Sequence, residues 1–294
     1  MDSGRTMIEI LESGILVQEP QVEFLASGTE SLKLPTKEEI LLGEKNLNGN
    51  GLKAKKTDRV NGGHATNDLV LSCYQDTNDK VFPRILDLYV DEGMKIADCT
   101  YGKGVFWKNV DQSKYKCVFS DLKTEGLPKN VQGGVDARRL PYRTRSVDCL
   151  VFDPPYMHTP GGTAHNGHQN FEQYYANNVE VDRKVAETIW KETGGNPPKY
   201  HEAVLDLYFR SAREAHRVLR PEGIYIVKCQ DEVCANRNRF THVEIMNGLS
   251  SNGFLCEDLF VVMRINRPGV SRLKNPQVHA RKNHSYFLVF RKSK

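Results

Sequence analysis

The chain has 294 residues, a formal net charge of +4, 39% hydrophobic and 27% charged residues. That length suits one large α/β domain or a domain with an extension, with ample core-forming residues. No stretch approaches the ~20 continuous apolar residues of a membrane span, the acids near the N-terminus argue against a secretory signal, and the modest charge permits a nucleic-acid partner without requiring one.

Residues 1–63 read as an N-terminal extension of short apolar patches between polar, glycine-rich stretches, with 46–63 having the composition of a flexible linker. Residues 64–294 form the main domain. Within the extension, 36–42 predicts a short helix: Thr36 is the N-cap and Glu39 completes a capping box. From Asp79 onward strands alternate with helices. Residues 83–90 predict a helix, 94–99 a strand, and 104–109 the start of a helix. Three strands are expected at 117–120, 131–135 and 147–152. The clearest helix is 200–219, where Leu205, Tyr208, Ala212, Ala215 and Leu219 repeat at three and four. Arg220-Pro221-Glu222-Gly223 then signals a turn. A fifth strand is expected at 223–229, a helix at 240–251, and the last two strands at 254–263 and 285–290. Such alternation implies a mostly parallel sheet covered on both faces. Two final strands with no helix between them predict an antiparallel hairpin at one edge. The expected fold is a doubly wound α/β sheet of seven strands, Rossmann-like in kind.

The strand at 147–152 is stopped abruptly by Asp153-Pro154-Pro155-Tyr156. At a strand's C-terminal end, where open α/β sheets bind ligands, this turn offers a carboxylate, a stiff backbone and an aromatic face. It suits a planar, amino-bearing ring. The first strand leads into Asp98-Cys99-Thr100-Tyr101-Gly102-Lys103-Gly104, where two glycines let the backbone turn tightly and approach a ligand. The next strand ends at Ser120-Asp121, an acid placed to accept hydrogen bonds from ribose hydroxyls. A third glycine is lacking, since position 107 is Trp, so a nucleoside without phosphates fits better than a dinucleotide. Asp136, after a short strand, either accepts from an adenine amino group or caps a turn. The seven cysteines form no CxxC pair and read as small core residues of a reducing compartment.

Asp98-x-Thr-x-Gly-x-Gly, then Asp121, Asp136 and Asp153-Pro-Pro-Tyr, resemble the S-adenosylmethionine-dependent amino-methyltransferases of nucleic acids, above all the DNA adenine-N6 and cytosine-N4 enzymes. The resemblance covers about residues 79–290. It implies S-adenosylmethionine as cofactor, held by Lys80, Phe82, Pro83, Asp98, Thr100, Gly102, Gly104, Asp121, Leu122, Asp136, Ala137 and Asp153. Asp153, Pro154, Pro155 and Tyr156 would be catalytic, with adenine N6 in DNA the first choice of target. Cytosine N4 and, in RNA, guanine N2 are the alternatives. A non-catalytic nucleic-acid-binding subunit of a methyltransferase complex is the alternative of another class. The resemblance also implies a cytoplasmic enzyme of bacterial, archaeal or phage origin.

Residues 157–175 carry His158, Phe171, Tyr174 and Tyr175 in a glycine-rich stretch, expected to close over the target with an aromatic available for stacking. Its histidines lack metal-ligand spacing, so no metal is expected. Lys228, at the end of the fifth strand, and Arg264, Arg267, Arg272, Lys274, Arg281 and Lys282 around the last hairpin are candidate nucleic-acid contacts; a solvated sheet edge is the plain alternative. Little chain is left for a recognition domain, so a short target, a homodimer or a partner subunit is expected.

Overall fold

Mostly buried strands set the centre of the sheet. In the computed structural model β2 (Lys95–Asp98), β5 (Val147–Phe152) and β6 (Leu219–Cys229) lie side by side and parallel, buried along most of their length, as strands covered on both faces must be. The structure describes residues 69–156, 195, 198, 200–265 and 277–294. The chain divides into two units, Met1–Ala65 and Thr66–Lys294, and every described residue falls in the second. The predicted 36–42 helix and 46–63 linker lie outside the described residues.

On one side of β2 come β3 (Lys116–Ser120) and the two-residue β4 (Val131–Gln132), both parallel. On the other, beyond β5 and β6, come β10 (His284–Lys292), β9 (Phe254–Met263) and β1 (Cys73–Gln75). β10 is antiparallel to both β6 and β9. The fold is the expected doubly wound, mostly parallel α/β sheet, with two corrections. It has eight strands rather than seven, and the β9–β10 hairpin is not at the edge, because β1 pairs parallel with β9 outside it. Three mostly exposed residues, Cys-Tyr-Gln, are too short to carry a readable alternation. A separate two-stranded hairpin, β7 (Glu232–Cys234) and β8 (Arg237–Arg239), also went unforeseen; Ala235 and Asn236 turn it with φ of 48° and 59°, as a two-residue hairpin loop demands.

Helices cover both faces. α1 (Asn78–Tyr89) packs Phe82, Ile85 and Leu86 on Ile96, Val151, Ile226 and Phe287. On the opposite face α2 (His201–Val218) and α3 (Thr241–Ser250) bring Val204, Tyr208, Ala212 and Ile245 onto Leu150, Phe152, Tyr225 and Leu288. The sequence placed the first helix at 83–90, because proline favours a first turn. It begins five residues earlier, with Pro83 inside. Proline cannot donate to the carbonyl four residues back; Asn109 Nδ2 donates to that Asp79 carbonyl instead, at 3.1 Å. The helix expected at 104–109 is only a 3-10 turn, Val105–Trp107. Gly104 enters it left-handed, φ 65°, and the Trp107 indole turns inward to donate to Asp98 Oδ2 at 2.7 Å.

After β2 the chain winds outward through β3 and β4, then returns to β5 on the other side of β2. The strand order therefore reverses between β2 and β5, and a crevice opens above their C-terminal ends. The two turns singled out in the sequence leave these two strands.

Candidate active site

The β2 turn is held by its own carboxylates. Asp98 is 2% exposed and accepts from Trp107 Nε1 and from the Thr100 N–H at 2.9 Å. Burial pushes its carboxyl up to about 6, against those hydrogen bonds. Asp121, at the end of β3, accepts from the Gly102 N–H at 2.7 Å through one oxygen and from the Lys123 N–H at 2.9 Å through the other. The glycine turn is thus pinned at both ends. A Cβ on Gly104 would lie 2.5 Å from the Tyr101 hydroxyl oxygen, so the Tyr101 side chain would have to move to admit one.

The β5 turn is tied to the first. The Thr100 hydroxyl accepts the Asp153 backbone N–H at 2.6 Å while lying 3.4 Å from Asp98 Oδ1, to which it donates. Between the turns lies a cavity of about 340 Å3, within the roughly 300–1,000 Å3 range of small-molecule sites. Thr100, Gly102, Asp121, Leu122, Asp136 and Ala137 line one part of it, and Asp153, Pro154, Pro155 and Tyr156 another. The structure therefore brings these ten predicted residues together.

Five others stand back from this cavity. Asp98 and Gly104 shape the turn beneath it. Phe82 is fully buried against Phe106, Trp107 and Phe287, and Lys80 points outward to Asp76, 3.2 Å away. Pro83 borders a separate cavity of about 190 Å3. Of the candidate nucleic-acid contacts, Arg264 is exposed and reaches the cavity wall, where it donates to Gln230 Oε1 at 3.3 Å. Arg281 is exposed, and Lys282 lies 5.8 Å from the Phe240 ring. Lys228 is not at the surface: it is 1% exposed, its ammonium 3.8 Å above the Phe287 ring. His158, Phe171, Tyr174, Tyr175, Arg267, Arg272 and Lys274 lie outside the described residues. Among the described residues no cluster could hold a metal ion, and no helix is long and apolar enough to cross a membrane.

Sequence reasoning missed how far charge is paired inside the site. Arg138 takes up both Asp136 oxygens, with Nη2 at 2.7 Å and its own N–H at 2.8 Å. Burial alone would raise the Asp136 carboxyl, but these bonds hold it below its ordinary value. Asp153 is raised, first by burial and then by Asp98, while the Lys228 charge opposes the rise. Tyr156 is pushed up to about 12 by burial and by Asp153, with Arg264 acting against it. Leu207 of α2 closes the apolar side; the apolar repeat expected of this helix runs through Leu205, not Leu207, and nothing in the sequence set Leu207 beside the crevice.

The sequence matches no protein-family model and no curated protein. Solved structures of similar shape include a Burkholderia thailandensis 1,6-didemethyltoxoflavin-N1-methyltransferase, 13% identical over 74% of this chain and 79% of that one, with a TM-score of 0.42. An S-adenosylmethionine-dependent methyltransferase of Methanosarcina mazei is 13% identical over 71% and 97%, with a TM-score of 0.41. A Thermus thermophilus protein provisionally named a DNA modification methylase, complexed with S-adenosylmethionine, is 23% identical over 54% of each chain, with a TM-score of 0.34. At such TM-scores these likenesses carry no argument about activity, and the chain spans about half of that methylase.

Proposed function

We propose that the chain transfers a methyl group from S-adenosylmethionine to an exocyclic nucleobase amine, adenine N6 in DNA in the first place. The observation that carries the reading is the joining of two turns. The glycine turn with its acid Asp121 and the Asp153–Tyr156 turn line one cavity at the strand-order reversal, linked by the Thr100–Asp153 hydrogen bond.

The donor set fits the cofactor. Each Asp121 oxygen accepts one backbone N–H, which leaves about half of a carboxylate's roughly four acceptor positions for ribose hydroxyls. Leu122 and Ala137 supply apolar contact for a purine ring. Asp136 gives its carboxylate to Arg138, so this pair bounds the cavity rather than reading the purine amine through a vacant carboxylate. When bound, S-adenosylmethionine supplies an electrophilic methyl group on a sulfonium.

An exocyclic amine is a poor nucleophile because its lone pair is delocalised into the ring. The Asp153 carboxylate and Pro154 carbonyl accept its two N–H bonds, which favours a pyramidal nitrogen with its lone pair free. Positioning and fixed dipoles then supply most of the rate gain. Tyr156 stacks on the base. A site at a strand end in a crevice requires a target base to leave its duplex.

Labelled S-adenosylmethionine with DNA and RNA oligonucleotides tests the reading. Nucleoside mass spectrometry of a host expressing the protein separates N6-methyladenine, N4-methylcytosine and N2-methylguanine. Asp153→Ala is expected to lower transfer by about 100- to 1,000-fold, from the loss of oriented acceptance, while calorimetry still detects cofactor binding. Wild-type protein that moves no methyl group and binds no cofactor would sink the proposal.

A further inference from the structure

Lys228 is the strongest anomaly near the cavity. Its side chain is 1% exposed and its ammonium has no hydrogen-bond partner among the described residues. The contact with the Phe287 ring, 3.8 Å from its centroid, returns only part of what an ammonium loses on leaving water. A second charge nearby is needed to make the burial tolerable. The β5–β6 register supplies it. Val227 lies opposite Phe152, so Lys228 and Asp153 leave the sheet side by side. Val151 and Ile226 face the α1 core, and Asp153 and Lys228, each two residues further on, continue that face. Asp153 borders the cavity and Lys228 does not. The lysine therefore stands behind the carboxylate, out of reach of a ligand.

We propose that Lys228 is a positioning residue whose buried ammonium keeps the Asp153 carboxylate ionised, and so able to accept N–H bonds from a substrate amine. The chemistry rests on the methyltransferase reading; the charge pairing does not. The other titratable groups acting on the pair are Asp98 on β2, Cys229 on the opposite face of β6, Arg264 at the end of β9, and Tyr156 on the same turn as Asp153. Asp98 works against an ionised Asp153. Arg264 is exposed and engaged with Gln230, and does not replace a buried countercharge. Burial raises Asp153 and lowers Lys228, and each charge opposes the other's shift. A protonated Asp153 would present a donor to an amine that must itself donate.

The test uses full-length protein with 13C-labelled aspartate carboxyls, the Asp153 signal being identified by its loss in Asp153→Asn. In Lys228→Met the Asp153 midpoint should rise by roughly one pH unit or more, a tenfold change in proton affinity, and Lys228→Arg should return it towards wild type. An unchanged midpoint in Lys228→Met overturns the proposal. The reciprocal measurement leaves Lys228 in place: in Asp153→Asn the Lys228 ammonium should titrate at lower pH than in wild type, and equal midpoints overturn the proposal equally. Methyl transfer is read separately, as an acidic limb of kcat/KM that moves up in Lys228→Met. Shifted midpoints in a protein that transfers no methyl group uphold the pairing and sink the functional reading. Transfer with unshifted midpoints does the reverse.

Discussion

Thr100 shows how one hydroxyl can set the geometry of a site. It accepts from the Asp153 backbone at 2.6 Å and donates to Asp98, which is itself fixed by Trp107. The chain Trp107–Asp98–Thr100–Asp153 thus runs from the core to the backbone of the residue whose carboxylate is proposed to act. Thr100→Val keeps the shape and removes the acceptor, leaving the Asp153 N–H without its partner. The cost of an unmade bond of this kind is about 1–3 kcal/mol. If it falls on the orientation of the turn, kcat drops by about 10- to 100-fold while cofactor affinity changes by less than about threefold. Single-turnover rates and calorimetry on the same samples distinguish this from a general loss of folding, and Thr100→Ser should recover most of the rate. A large loss of cofactor binding with an intact rate at saturation would place the role of Thr100 elsewhere.

Between elements, two devices do work that propensity alone does not. In α1 the orphan carbonyl left by Pro83 is served by Asn109, from the chain after the 3-10 turn. Asn109→Ala should therefore destabilise the fold by about 1 kcal/mol in urea unfolding with an unchanged m-value. In a Pro83→Ala background an N–H returns to that carbonyl, and the loss on removing Asn109 should shrink by about half a kcal/mol or more. Additive losses would refute the link. The second device joins α2, β7 and α3. The His201 ring, fully buried, lies 2.6 Å from Glu232 through Nδ1 and 2.6 Å from Glu244 through Nε2. With both carboxylates ionised, both contacts are hydrogen bonds only when the ring is doubly protonated. Burial acts to lower the imidazolium, the two carboxylates outweigh it, and the folded value stands above the ordinary 6.5, with Arg239 opposing. A raised folded value means that the stabilisation is fully present below about pH 6.5 and is lost as pH rises through the folded value. The stability advantage of wild type over His201→Gln should therefore shrink as pH rises above about 6.5. A constant difference would show that the ring is held by packing alone.

Across the whole molecule, the most legible elements were those whose buried faces fix them. The runs 147–152 and 254–263 were read to the residue because mostly apolar stretches bounded by turn signals admit few other solutions. β1 and the β7–β8 hairpin escaped because three-residue strands are too short to show a period. The 3-10 turn escaped because a tertiary bond from Trp107 overrides a helical spacing. The cavity was legible where chemistry sits on strand ends that the reversal of strand order brings together. Arg138 and Lys228 were not, since pairing behind a carboxylate leaves no local pattern, and a lysine at a strand end reads as a surface contact. The same scale governs how nucleic acid would be held. Lysines and arginines exceed acids by only four, 41 against 37, so affinity must come from local clusters rather than from a general positive field. Arg281 and Lys282 precede β10 and do not line the cavity. If they neutralise duplex phosphates, replacing both by alanine should make log affinity against log salt shallower by about 0.9 for each phosphate no longer neutralised, with cofactor affinity unchanged. Fluorescence anisotropy across a salt series measures that slope. An unaltered slope would remove these two residues from the nucleic-acid surface and leave Arg264, at the cavity wall, as the side chain among the described residues to test next.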